Sequence, residues 1–247
     1  MDRFDLHLRR WELAQDADGY NVWQEVVETR PVDAARVALL LCDVWDNHWS
    51  RGARERLDRL LPRMAEVVAA VRDRGGLIIH APSDTMDFYT DAPARMRALA
   101  LPVLEPPPPL DHPDPPLPVD ASDHGSDTGE THTHRPWRRQ HPAIAIDPAR
   151  DYISDQGRQV YSILRHHAVD QLLIMGVHTN MCVINRTFAI KQMVRWGVPV
   201  ALVRDLTDAM YNPAMPPYVS HDEGTRLVVA YIEKFWCPSI TSEDLMR

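Results

Sequence analysis

The sequence predicts an α/β fold in three layers, with a mainly parallel sheet covered by helices on both faces. Apolar runs alternate with amphipathic segments along most of the chain. The apolar runs are short and unbroken, which is typical of strands that are buried on both faces. Polar residues follow several of these runs directly, as they do at the carboxyl edge of an open α/β sheet. The 247 residues suffice for one such domain with a sizeable core.

Composition excludes several classes of partner. The net charge of −8 disfavours binding to nucleic acid or to an anionic membrane surface. The first residues lack the apolar stretch of a secretory leader, and no apolar run is long enough to span a bilayer. The 3 cysteines suit a reducing compartment without a disulfide framework. We therefore expect a cytoplasmic protein that acts on a small molecule.

The sequence divides into two regions. Residues 1–30 are interpreted as an N-terminal extension, and residues 31–247 as the main domain. The extension mixes aromatic and polar residues around Asp18 and Gly19, a pair that favours a hairpin turn.

The main domain opens with a strand, a helix and a second strand. Val37–Cys42 is continuously apolar and is followed by Asp43, as expected of a buried strand. Apolar residues recur at helical spacing from Glu55 to Asp73. Two glycines then end the helix, and Leu77–His80 forms the next strand.

A proline- and histidine-rich insertion occupies about residues 102–142. Its first part is dense in proline, which cannot donate to a helix or to a central strand. Polar residues rich in Asp, Ser, Thr and His follow as far as His134. A loop of this length in a compact domain is usually functional or disordered, and we expect an ordered cover over the site.

The alternating pattern resumes after the insertion. Unbroken apolar runs predict strands, and apolar residues at helical spacing predict helices. The expected strands are residues 143–146, 171–175 and 198–203, and the expected helices are residues 156–167, 182–196 and 221–235.

Two reactive side chains stand at strand ends in this arrangement. Asp43 follows the first strand of the domain, and Cys182 begins the helix after residues 171–175. Both should project from the same sheet edge, where a carboxylate beside a thiol forms a base–nucleophile pair. A helix start favours a thiolate, and the backbone amides of His178 and Cys182 are suited to bind an oxyanion.

The residues around Cys182 resemble a known nucleophile motif. The string Gly-Val-His-Thr-Asn-Met-Cys-Val, residues 176–183, is similar to that of the isochorismatase-like cysteine hydrolases, which include nicotinamidases and ureidoacrylate hydrolases. Val37–Asp43 resembles the first strand of that family with its catalytic aspartate. Gly197–Asp208 resembles the strand and acidic turn that follow the nucleophile helix. The resemblance covers roughly residues 35–210.

The resemblance implies a fold, a site and a reaction. It implies a Rossmann-like sheet, a triad of Asp, Lys and Cys, and a cis peptide that would map to Val177–His178. Members of the family attack a carbonyl or amidine carbon, form a thioester-type intermediate and hydrolyse it. The predicted function is cleavage of an amide-type C–N bond through Cys182, with Asp43 as general base and as activator of water.

This chain departs from the family pattern at the lysine. The lysine would lie at about residues 146–154, where the sequence has none. Arg150 is the nearest cation, and Arg138 and Arg139 lie just before this stretch. An arginine can stabilise a thiolate by its charge, although it cannot transfer a proton at neutral pH. Arg150 and Arg139 are therefore the candidate replacements.

Several other residues were considered as ligands or as core residues. Asp46 and His48 are spaced like two metal ligands, and His80 ends a strand at the same edge, but two ligands do not make a site. We predict neither a metal nor a cofactor. Cys42 and Cys237 are interpreted as core residues.

Two alternative functions remain open at this point. Some members of the family cleave the vinyl ether of isochorismate without a cysteine nucleophile, and a chain that lacks the lysine is also consistent with a non-catalytic protein that binds a metabolite or a protein. We expect a homo-oligomer, with subunit contacts through the insertion or through the apolar residues 188–196.

Overall fold

The computed structural model describes residues 2–247, which form a single eight-stranded sheet with helices on both faces. The strands are β1 (Arg3–Gln15), β2 (Asn21–Asp33), β3 (Val37–Cys42), β4 (Leu77–Ala81), β5 (Tyr152–Ile153), β6 (Gln171–Val177), β7 (Val200–Asp208) and β8 (Ser239–Ile240). The helices are α1 (Arg51–Asp73), α2 (Pro93–Ala100), α3 (Gly157–His166), α4 (Cys182–Asn185), α5 (Ile190–Arg195), α6 (His221–Phe235) and α7 (Glu243–Met246).

The sheet has the predicted, mainly parallel topology. Its strand order is β2-β1-β8-β7-β6-β3-β4-β5. Strands β3 to β8 pair in parallel, and only β1 runs antiparallel to its neighbours β2 and β8. The predicted α/β fold class is confirmed. None of the helices in residues 2–247 has both the length and the apolar character needed to cross a bilayer.

The strand β3 shows why the predicted strands are continuously apolar. Ala38 and Leu40 pack into the core cluster that contains α3 and α6. Leu39 and Leu41 pack into the opposite cluster, which contains α1. Because successive side chains of a strand point to opposite faces, a strand with helices on both sides buries every residue.

The N-terminal extension is a part of the sheet. The predicted hairpin is present, with Gly19 in its turn at φ +85°. Its strands extend to Asp33, and β1 pairs with β8 through Arg9 and Ser239. The hairpin therefore forms one edge of the central sheet and continues beyond the expected boundary at residue 30.

Two predicted elements differ in the structure. Residues 143–146 form no strand, and the strand that pairs with β4 is Tyr152–Ile153. The helix predicted for residues 182–196 is interrupted between α4 and α5, because Arg186 leaves the helical conformation with ψ 152°. After this break, the Thr187 side chain accepts a hydrogen bond from the Gly157 N–H of α3 at 3.1 Å. The spacing of apolar residues in the sequence cannot predict such a polar contact.

The insertion has an ordered conformation and lies against α1. Residues 102–142 contain no helix and no strand, as predicted, apart from one bridge between Trp45 and Gln140. Asp127 forms an ion pair with Arg56 at 2.8 Å. Glu130 accepts the backbone N–H of Arg51 at 3.2 Å, so the insertion supplies a capping group for the first turn of α1.

Candidate active site

Asp43 lies at the carboxyl end of β3 and is completely buried. It has a positive φ of 50°, which marks a sharp change of chain direction after the strand. Its Oδ1 accepts the Ser83 N–H at 2.7 Å, and its Oδ2 accepts the Arg186 Nε–H at 2.9 Å. Burial raises the pKa of Asp43, whereas the charge of Arg186 acts in the opposite direction.

Cys182 begins α4, directly after the loop that follows β6. The peptide bond between Val177 and His178 is cis, as the family resemblance implied. Gly176 has φ +127°, and a Cβ at this position would lie 2.0 Å from the carbonyl oxygen of Cys42. Only glycine therefore permits the close approach of β6 to β3, which brings the loop before Cys182 beside Asp43.

The Cys182 thiol and the Asp43 carboxyl lie together. Burial raises the pKa of Cys182, and the negative charge of Asp43 raises it further. Arg186 and the backbone of His178 lower it only in part. The net effect is a raised thiol pKa, because burial and the nearby carboxylate outweigh the start of α4, which has only 4 residues.

Arg186 supplies the positive charge next to Asp43 and Cys182, and it was not among the residues predicted from the sequence. It follows Cys182 by four residues, which is about one helical turn. Its second contact is with Asp84 at 3.6 Å, and its guanidinium lies 6.0 Å from the centroid of the Trp45 ring. Burial disfavours the charged form, yet Asp43 and Cys182 raise the pKa of Arg186 above its usual value.

The arginines named from the sequence have other partners. Arg150 is exposed and pairs with Asp147 at 2.7 Å. Arg139 pairs with Asp46 at 3.8 Å and lies over the ring of Phe88. The backbone N–H of Arg138 donates to the same Asp46 carboxylate. Within residues 2–247, the ion pair at Asp43 comes from Arg186 rather than from Arg150, Arg138 or Arg139.

A group of parallel rings borders the centre. Trp45, two residues after Asp43, stacks on Trp137 of the insertion with ring centroids 4.1 Å apart. His48 lies parallel to Trp137 at 5.7 Å, and His178 meets His48 edge-on at 4.9 Å. The insertion therefore contributes the Trp137 side chain to this group of rings.

The two imidazoles in this group of rings, those of His48 and His178, are neutral at neutral pH. Burial lowers the pKa of His48 to about 4. Burial lowers that of His178 well below its usual value, and the nearby charges of Arg56 and His221 act in the same direction. His221 differs because Asp208, at 2.9 Å, overcomes the effect of burial and raises its pKa.

The histidines considered as metal ligands have other roles. His80 is fully buried between Gln140 at 2.8 Å and Asp151 at 2.9 Å. His48 accepts the Ser50 N–H at 3.1 Å. Residues 2–247 contain no group of three His, Cys, Asp or Glu side chains arranged to hold a metal ion.

Solved structures share this fold. A cysteine hydrolase from Pseudomonas syringae pv. phaseolicola 1448A is 17% identical, with a TM-score of 0.56, over 87% of this chain and 93% of that chain. An isochorismatase from Pseudomonas putida KT2440 is 11% identical, with a TM-score of 0.52, over the same shares of the two chains. The chain therefore has the fold of the isochorismatase-like cysteine hydrolases, as its motifs predicted.

Comparison of the sequence alone finds less. No protein-family model matches the chain. No curated protein matches it either. At identities of 11–17%, the structural similarity establishes the fold, and the activity has to be argued from the side chains.

Proposed function

We propose that this protein is a cysteine hydrolase that cleaves an amide-type C–N bond of a small molecule. The observation that carries the proposal is the grouping of a buried carboxylate, a thiol and a guanidinium at the carboxyl edge of the sheet. These are a base, a nucleophile and a fixed positive charge, the components of nucleophilic catalysis. The edge is also the usual location of active sites in open α/β sheets.

The first half of the proposed reaction uses Asp43 and Cys182. As the sulfur attacks the carbonyl carbon, its proton passes to the Asp43 carboxylate. The backbone N–H groups of His178 and Cys182 stabilise the oxyanion. When the C–N bond breaks, Asp43 returns the proton to the departing nitrogen, and a thioester remains on Cys182. Water then cleaves the thioester to release the acid.

Arg186 takes the electrostatic role of the family lysine in this proposal. Its charge opposes the effect of burial on the pKa of Asp43 and so favours the ionised carboxylate, the form that can accept a proton. It retains its own proton throughout because its pKa is raised. Asp43 is therefore the group that moves the proton in the first half of the reaction.

The test is acylation of the full chain by p-nitrophenyl acetate, followed by intact-mass and peptide analysis. We expect a burst of nitrophenolate and one acetyl group on Cys182. Cys182→Ala should abolish the burst and retain the thermal unfolding transition, while Cys237→Ala is the matched control at a buried cysteine and should retain the burst. An adduct on another side chain would contradict the proposal. Turnover of a panel of amides, ureides and cyclic amides then addresses the substrate.

A non-catalytic binding protein is the second candidate, and one observation favours it. The thiol pKa is raised, as in a buried and inert cysteine. In that case p-nitrophenyl acetate should give no burst, and alkylation of Cys182 should be slow and should not change when Asp43 is replaced by Asn.

A further inference from the structure

Four charged side chains form a closed cluster where the insertion meets the carboxyl edge of the sheet. Arg56 of α1 lies between two carboxylates, with Asp127 of the insertion at 2.8 Å and Asp208 of β7 at 3.0 Å. His221, the first residue of α6, lies 2.9 Å from Asp208 and 3.6 Å from Asp127. The four side chains are 10–17% exposed. We refer to these four residues as the ion tetrad.

The hydrogen-bond partners of His221 require a proton on both ring nitrogens. Nδ1 lies 2.9 Å from the carbonyl oxygen of Tyr211, and Nε2 lies 2.9 Å from a carboxylate oxygen of Asp208. A carbonyl and a carboxylate only accept hydrogen bonds, whereas a neutral imidazole has a single N–H to donate. His221 is therefore an imidazolium in this arrangement. Its raised pKa, which results from the hydrogen bond and the charge of Asp208, agrees with the charged form.

We propose that protonated His221 is a pH-sensitive latch that holds the insertion against the carboxyl edge of the sheet. When His221 is charged, two cations face two carboxylates, and the ion tetrad has no net charge. When His221 is neutral, Arg56 alone faces both carboxylates. Like charges that are partly buried repel each other more strongly than in water. Because Asp127 is the carboxylate that the insertion carries, this repulsion favours release of the insertion.

The other groups near His221 do not replace its charge. The charged side chains that face it come from three elements packed against α6, namely Arg56 of α1, Asp127 of the insertion and Asp208 of β7. The His178 ring, in the loop after β6, is neutral because burial lowers its pKa. Arg59 and Asp222 line a cavity beside Arg56 and Asp208, and their opposite charges balance. The charge of the ion tetrad therefore depends on the protonation of His221.

The direction of the pH effect follows from the raised pKa of His221. A histidine whose pKa is raised by folding stabilises the folded arrangement fully below its ordinary pKa of about 6.5. That stabilisation is lost as the pH rises through the raised pKa. The insertion is therefore held firmly at slightly acidic and neutral pH and is held less firmly at alkaline pH.

The ion tetrad is also connected to the reactive centre. The carbonyl oxygen of Asp208 accepts the Thr179 N–H at 2.9 Å, and Thr179 lies in the loop before Cys182. On the side of the insertion, Trp137 stacks on Trp45. Release of the insertion would therefore loosen its contact with the group of rings that borders the reactive centre.

Two backbone amides report directly on docking of the insertion. The Arg51 N–H donates to Glu130 at 3.2 Å, and the Gly52 N–H donates to the Thr128 hydroxyl at 3.1 Å. Both acceptors belong to the insertion, so these amides lose protection from hydrogen exchange when the insertion leaves. The protection factor is the quantity to compare, because it corrects for the intrinsic effect of pH on exchange.

The experiment measures these protection factors in the full chain at about pH 6 and about pH 9, on either side of a raised histidine pKa. In wild type, protection should fall about tenfold between the two, as for loss of a hydrogen bond to a charged group. His221→Gln cannot be charged and should show the low protection at both. The histidines of the insertion titrate in both proteins, so the difference reports on His221. The matched control is His7→Gln, which removes another His–Asp pair, with Asp244 at 2.8 Å, and should behave as wild type.

Each outcome decides the role of His221. Protection that does not change with pH in wild type, or that falls equally in His221→Gln, would overturn the proposal. If His221→Gln does not fold, Asp127→Asn takes its place, because it removes the carboxylate that the insertion contributes. Equal protection at both pH values in Asp127→Asn supports the latch, and protection that still falls with pH overturns it. Since the readout is hydrogen exchange, the result does not depend on the proposed hydrolase activity.

Discussion

Replacing Arg186 with Met should raise the pKa of the Asp43 carboxyl group by several units. Asp43 is fully buried, and its ion pair with Arg186 is 2.9 Å long. At an effective dielectric constant of about 20, opposite charges about 4 Å apart gain about 4 kcal/mol. At 1.36 kcal/mol per unit, this corresponds to about three pKa units. Burial already raises the pKa of Asp43, and loss of Arg186 would raise it further. The variant should hold Asp43 protonated at neutral pH.

The assay is the rate of Cys182 alkylation by iodoacetamide as a function of pH. Cys42 and Cys237 are buried, so labelling reports mainly on Cys182, with Cys182→Ala as the background. In Arg186→Met the rate should begin to rise at a pH up to about three units higher than in wild type. Arg186→Lys keeps the charge and should shift the profile by less than about one unit. Overlapping profiles for wild type and Arg186→Met would refute the electrostatic role.

Three further predictions concern stability. Hydrogen bonding to His80 and Arg72 outweighs burial and lowers the pKa of Asp151 to about 2. Its contribution, at most about 2 kcal/mol before solvent screening, should be present above about pH 4 and lost as the pH falls towards 2. Asp151→Asn should therefore be less stable than wild type in urea unfolding at neutral pH, with the gap closing in acid. Glu130→Ala removes a capping group of α1 and should cost about 1 kcal/mol in the same assay. Trp137→Ala removes the stack on Trp45, worth about 0.5–1.5 kcal/mol beyond the loss of buried area, and should lower the melting temperature.

The sequence correctly predicted the strands and helices whose apolar spacing and length fit one type of secondary structure. β3 is buried on both faces, and its apolar run of 6 residues has the length of a strand rather than of a helix. α6 keeps helical spacing from His221 to Phe235 and was predicted with the bounds that the structure shows. The short run at residues 143–146 was misassigned, because four apolar or small residues fit a turn as well as a strand. The two-residue strands β5 and β8 are too short to give a periodic signal.

The reactive centre shows a different limit of pattern reasoning. Asp43 and Cys182 were found because strand ends and a specific motif mark them, whereas Arg186 lies inside a segment that predicts one continuous helix. In an unbroken helix, a residue four positions after Cys182 lies one turn further along the same face. The chain instead leaves the helix at Arg186, and its guanidinium reaches the Asp43 carboxylate and Asp84. The signal available in the sequence was a basic residue one turn after the cysteine, in a chain that lacks the expected lysine. Asp43 is buried at the end of another strand, and a buried carboxylate requires a nearby positive charge. The pairing of Asp43 with Arg186 joins two distant segments of the chain, so it can be recognised only in the folded structure.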